Sequence, residues 1–226
     1  MRFLAPTPSH WYPFQAPLIL PLILGWIMID EKGDKNVRTT KGGRRPDIGT
    51  RVDPVTIGSL VGDLASKDGL VRESARLSLV AVGRPVVGAL IKLLADRNRR
   101  VRWEAAKALS QIADPKAAPA LVRALEDEEF SVRWLAAKGL IALRSEGLAP
   151  LLQALVKRSD SVSLLQGAHH VLHDVMRRGG QKEVLQPLLA ALEDFEPSLE
   201  VPLAARAALD ALAGATGQRG DRRSLR

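Results

Sequence analysis

A unit of about thirty residues repeats along this chain, and that period limits the possible folds more than any other feature. Residues 101–127 read VRWEAAKALSQIADPKAAPALVRALED: one apolar-faced helix, a loop opened by Asp114-Pro115, then a second apolar-faced helix. Val101-Arg102-Trp103 then returns as Val132-Arg133-Trp134, and Ala105-Ala106 as Ala136-Ala137. With Val71, Val101 and Val132 as marks, Leu60, Leu90 and Leu121 stand eleven residues earlier, and Leu64, Leu94 and Leu125 seven earlier. Ala75, Ala105 and Ala136 stand four later, and Leu79, Leu109 and Leu140 eight later. Steps of four and of three or four place each set on one helix face. A single helix pair cannot bury such faces, so the pairs must stack on one another. The turns agree. Gly83-Arg84-Pro85 and Asp114-Pro115 end second helices, because proline cannot continue a helix and disfavours helix in the residue before it. The expectation is an all-α stack of about five helix pairs over residues 54–215.

Composition suits this reading. Hydrophobic residues make up 46% of the chain but aromatics only 4%, so the apolar mass is Ala, Leu and Val, which favours closely packed helices. With no cysteine, disulfides, thiolate metal sites and a cysteine nucleophile are excluded. The net charge of +8 is concentrated in the tails. Residues 54–215 hold 21 Lys and Arg against 19 Asp and Glu, so the repeat body is nearly balanced. The overall basicity therefore argues only weakly for nucleic acid.

Three segments lie outside the pattern. Residues 1–29 form an apolar, proline-rich leader, densest over residues 16–29. Three readings of it stand open. Pro17, Pro21 and Gly25 interrupt it as a membrane span. As a signal peptide it has an apolar stretch of suitable length but only Arg2 before it, and no small-x-small cleavage site after it. If translation starts at Met28, it is an upstream artefact. With the leader set aside a cytoplasmic location is expected; with it kept, residues 16–29 can anchor the chain to a membrane. Residues 30–53 are polar and glycine-bearing, as in a flexible linker. Residues 216–226 are basic and lack an apolar face, which predicts a disordered tail.

The pattern loosens after the third unit. Val162 is preceded in register by Leu151 and Leu155, but Gln166 stands where alanine is expected. A fifth pair is expected over roughly residues 183–192 and 201–212, and departure at the end of an array suits a capping unit.

The strings Asp96…Val101-Arg102…Ala105-Ala106…Ala108-Leu109 and Asp127…Val132-Arg133…Ala136-Ala137…Leu140 resemble HEAT repeats. More narrowly they are similar to the phycobilisome (PBS) lyase HEAT-like class, whose units read approximately D-x4-VR-x2-AA-x-AL. In the first unit Asp68 stands nearer Val71 than that pattern expects, in the fourth Ser163 replaces the arginine, and in the fifth no VR follows Asp194. The resemblance implies a right-handed ARM/HEAT-like superhelix with second helices lining the concave face. It also implies a polar ladder of Asp96, Asp127, Arg72, Arg102 and Arg133. An aspartate in the turn can accept backbone N–H bonds, and an arginine fork can reach it in bidentate fashion. The class includes bilin lyases, deoxyhypusine-hydroxylase-like oxygenases and scaffolds, so it specifies a fold better than a job.

Two sets of residues stand out as sites. Trp103 and Trp134 occupy equivalent places, with Arg102, Lys107, Arg133 and Lys138 beside them. Trp and Arg are favoured interface anchors, and such a surface suits an acidic peptide. The structural alternative is that each tryptophan fills the seam between repeats. His169, His170 and His173 form HHVLH with Asp174 adjacent. Paired histidines at this spacing can ligate zinc or iron, but a site needs a third ligand and a second shell. No His-Glu dipeptide and no HExxH occur, which speaks against di-iron oxygenase and zincin chemistry. No metal and no cofactor are therefore expected. No P-loop, GxGxxG or G-x-S-x-G is present either. The functional expectation is a non-catalytic, single-copy adaptor that binds a protein partner on its concave face. The alternatives are a cofactor-related enzyme or accessory of the lyase or hydroxylase-like kind, and nucleic-acid binding in a basic groove.

Overall fold

A computed structural model describes residues 54–224, apart from 180 and 195, with side chains described to Gly214. The leader (1–29) and the linker (30–53) lie outside the described residues. Ten α-helices follow in order among the described residues, and no strand. They are α1 (Pro54–Asp63), α2 (Gly69–Val82), α3 (Val87–Leu93), α4 (Arg99–Ile112), α5 (Ala118–Ala124), α6 (Phe130–Leu143), α7 (Leu148–Lys157), α8 (Val162–Arg177), α9 (Lys182–Glu193) and α10 (Pro197–Ser224). Short 3-10 turns at Arg84–Val86, Pro115–Ala117 and Arg144–Gly147 lead into α3, α5 and α7.

Local chemistry sets the helix starts. The Asp68 carboxylate accepts from Leu70 N at the start of α2, the Asn98 side chain from Arg100 N at α4, and the Ser161 hydroxyl from Leu164 N at α8. Each satisfies one of the N–H groups that a helix start leaves without an intrahelical partner. Ser66, Asp96 and Asp127 share a second repeated place. Each side chain accepts from the backbone two residues on, at Asp68 N, Asn98 N and Glu129 N. This explains the odd spacing in the first unit: Asp68 is the cap, and Ser66 holds the place of the repeat aspartate.

The long helices α2, α4, α6 and α8 stack as one row, while the shorter α1, α3, α5 and α7 pack on their own partners behind it. The molecule is thus an all-α helical-repeat solenoid. The core runs through its length as one apolar cluster from Leu64 to Ala208, with Leu79, Leu109, Leu121 and Leu140 fully buried. Small residues set the approach. A Cβ at Gly167 would lie 2.8 Å from Leu125 Cδ2, so the backbone of α8 presses directly onto that leucine. The close contact falls one residue after Gln166, where the slip in the sequence register begins.

The last two helices depart from the alternation. The fifth-pair reading makes residues 201–212 the next second helix. Instead α9 lies on α8, at the end of the long-helix row, and α10 packs on α7 and α9. The rows exchange because α7 is longer than α3 and α5 and carries a broad leucine face, with Leu148, Leu151, Leu152 and Leu155 buried. The small stripe Val201, Ala205 and Ala208 on α10 is buried against the stack. The helical backbone of α10 continues to Ser224, into the segment whose sequence lacks an apolar face. The stretch Phe130–Lys157 is long and apolar enough to cross a membrane, but half of it is buried in the stack, and it is broken at Arg144.

Candidate functional site

The long-helix row carries the predicted residues, and their surroundings divide them into two groups. Arg102 belongs to the stack. Its Nε donates to Asp127 Oδ2 (2.8 Å), its Nη2 to Asp127 Oδ1 and Glu128 Oε1 (3.1 and 2.7 Å), and its Nη1 to the carbonyls of Asp96 and Arg97 (3.0 and 3.3 Å). Every nitrogen of the fork is engaged and the side chain is buried. The hydrogen bond to Asp127 is the first reason that Arg102 titrates above its ordinary value. Removing one partner of a buried pair like this costs about 3–5 kcal/mol, because the other charge is left uncompensated.

Arg72 and Arg133 repeat half of this arrangement. Arg72 Nη1 donates to the carbonyls of Ser66 and Lys67, and Arg133 Nη1 to those of Asp127 and Glu128. In all three units the arginine therefore ties down the turn before its own helix. The acid partner differs. Arg72 faces Glu104 at 3.3 Å, and the Asp96 carboxylate is taken up by its own turn. Arg133 Nε is buried without a hydrogen-bond partner among the described residues, while the guanidinium lies 5.5 Å from the Phe130 ring. The aspartate place in the fourth unit falls on Lys157-Arg158, a basic pair, and Arg158 instead bonds Glu126. One complete acid–base rung results, between Arg102 and Asp127.

Trp103 and Trp134 stand differently. Each is partly buried against the core and partly open. One turn on, Lys107 Nζ lies 5.9 Å from the Trp103 ring centroid, and Lys138 Nζ 5.7 Å from that of Trp134. Ammonium over an aromatic face is electrostatically favourable, by about 0.5–1 kcal/mol at an exposed site. The His170 ring extends this line, its centroid 4.8 Å from that of Trp134. Each tryptophan thus packs in part against the core, keeps part of its surface open and carries a lysine over its ring.

Two clefts flank the line. One of about 260 Å³ is lined by Arg72, Arg99, Arg100, Trp103, Glu104, Glu129 and Ser131. The other, of about 310 Å³, takes Lys107, Ser110 and Gln111 from α4 and Leu135, Lys138, Ile141 and Ala142 from α6. From α8 and its end come His170, Asp174 and Arg178.

The three adjacent histidines go separate ways. His169 is buried and its Nε2 lies 2.9 Å from Glu193 Oε1, joining α8 to α9. His170 meets Trp134, and the His173 ring stacks 6.2 Å from that of His169. Asp174 accepts from Arg177 (2.6 Å) and Arg178 (2.5 Å). Among the described residues no group of three or more His, Asp or Glu is placed to hold a metal ion.

Sequence reasoning missed a buried pair. Arg76 Nε donates to Glu104 Oε2 at 3.0 Å and Nη1 to Gln111 Oε1 at 3.2 Å, and both charged residues are nearly inaccessible. The signal was present. Where the second and third units read Ala-Ala, the first reads Ala75-Arg76, a charge at a core place that needs an acid opposite.

Comparison with known proteins adds to the fold. Residues 59–140 match the family model for HEAT repeats. The crystal structure of an engineered protein from the Northeast Structural Genomics Consortium is similar at 23% identity, over 74% of this chain and 85% of that chain, with a TM-score of 0.36. No curated protein matches the chain.

Proposed function

We propose that this helical-repeat stack is a non-catalytic adaptor, and that it binds a protein partner along the open side of its long-helix row, the side expected to be concave. The observation that supports this most directly is the pair of lysine-covered tryptophans on adjacent helices, Trp103 with Lys107 and Trp134 with Lys138. Both rings stay partly open on the row, whereas Arg102 and Arg72 are taken up in holding the turns. Tryptophan is among the residues that supply most of an interface's energy. The finer likeness to the PBS lyase HEAT-like class belongs to this reading through the shared D-x4-VR units and adds no catalytic residue to it.

The test is capture of a partner by the full chain, compared with Trp103→Ala/Trp134→Ala. Loss of at least about 2 kcal/mol, the scale of a hot-spot truncation, is expected. Because both rings also touch the core, the change at the lysines over them, Lys107→Glu/Lys138→Glu, is measured alongside. Full retention of partner affinity by both double variants would rule the reading out.

A further inference from the structure

The cleft between α4, α6 and α8 has a charge balance that the stack itself does not require. Its lining holds three permanent cations, Lys107, Lys138 and Arg178, against a single carboxylate, Asp174. That carboxylate is already spent on Arg177 and Arg178. Lys107 and Lys138 have no carboxylate partner among the described residues, and each is held over a tryptophan ring. Gln111 gives its oxygen to Arg76 and leaves its amide NH2 donors uncommitted among the described residues. Two neighbouring helices of the row, α4 and α6, thus bring two ammonium groups and an amide donor to one recess of about 310 Å³, with a lining surplus of two positive charges.

From this charge complementarity we infer that the recess receives a phosphoryl group carried on a side chain of the protein partner. The inference rests on the adaptor reading and names the chemistry by which that face would select its partner. A phosphomonoester carries about −1.5 to −2 charges at neutral pH and three acceptor oxygens, matching the surplus. A carboxylate carries a single charge and would leave half of that surplus unmet. Arg178 bonds Asp174 through Nε, so its Nη groups join the two ammonium groups as donors on the lining. Arginine and lysine both bind phosphoryl oxygens. His170, on the same lining and against Trp134, places an aromatic reporter beside the site.

The experiment titrates the full chain, at matched ionic strength, with N-acetyl-phosphoserine amide, inorganic phosphate, N-acetyl-glutamate amide and vesicles bearing a phosphoinositide. The Trp134 indole and His170 ring signals are followed by NMR. Phosphoserine amide is expected to shift both saturably and to bind at least about tenfold more tightly than the glutamate amide, or about 1.4 kcal/mol. Lys107→Ala and Lys138→Ala should each weaken it by about tenfold, while Lys92→Ala on the opposite row should leave it unchanged. Equal response to glutamate, a response indifferent to both lysine changes, or a response to the vesicles alone overturns the proposal. Two results separate it from the adaptor reading. A partner lost by the tryptophan variants but kept after phosphatase treatment removes the phosphoryl inference and leaves the docking face. Phosphoserine binding in the recess without any tryptophan-dependent partner does the reverse.

Discussion

Arg144 sits at φ 53°, ψ −126°, a backbone region that side chains avoid. The same repeat place is Gly83 (φ 76°, ψ −131°) in the first unit and Ala113 (φ 51°, ψ 45°) in the second. Each of these three units ends its long helix at a positive φ, and of the three only the first supplies glycine, which adopts that conformation without a Cβ clash. Arg144→Gly should therefore stabilise the chain by about 1 kcal/mol, read as a higher urea midpoint. Asp174 makes the second prediction at this scale. Burial works against its charge, but hydrogen bonds from Arg177 and Arg178 outweigh that and hold its pKa below the ordinary value. A depressed folded pKa stabilises the protein above the unfolded pKa of about 3.9, and the contribution disappears as pH falls through the folded value. Asp174→Asn should be less stable than the parent at neutral pH, with the gap closing below about pH 4 in denaturant titrations across pH. An unchanging gap would mean that the two arginines do not act through charge.

The contact between α5 and α6 depends on a missing side chain. A Cβ at Gly139 would lie 2.8 and 3.3 Å from the two terminal methyls of Leu121, which is fully buried and has nowhere to go. Gly88 on α3 has open space at the same test. Gly139→Ala should cost about 1–2 kcal/mol through overpacking, whereas Gly88→Ala should gain about 0.5–1 kcal/mol from helix propensity. Chemical denaturation of the two variants side by side separates packing from propensity. Element identity was legible because Leu and Ala recur at helical spacing from Leu60 to Leu140, and more loosely beyond. The destination of the last helix was not. Val201, Ala205 and Ala208 form a stripe that fits either row, and the choice fell to the wider leucine face of α7.

Across the whole molecule, stability in a stack is a sum of units and their seams, so it varies along the axis. The helix α1 buries none of its residues, whereas α4 and α6 bury seven each and α8 ten, all with neighbours on both sides. Amide hydrogen exchange should show the greatest protection in α4, α6 and α8 and the least in α1. Uniform protection along the chain would instead mean one indivisible cooperative unit. The complete rung between Arg102 and Asp127, together with Leu125 under Gly167, falls within or beside this central stretch.

The sequence alone determined the helical pairs, their register over the first three units, and the equivalence of Trp103 with Trp134, because each follows from residue spacing along one chain. The resemblance placed Arg102 and Asp127 in one ladder without saying which acid each arginine meets. The tertiary structure decided what depends on distances between units. It paired Arg72 with Glu104 instead of Asp96, left Arg133 Nε without an acid, and sent His169 to Glu193 and His170 to Trp134. The steps of thirty and thirty-one residues keep the same apolar places relative to Val71, Val101 and Val132, so the extra residue falls in a turn between helices. Spacing along one helix fixes which face a side chain shares, but not which charge of another unit it meets.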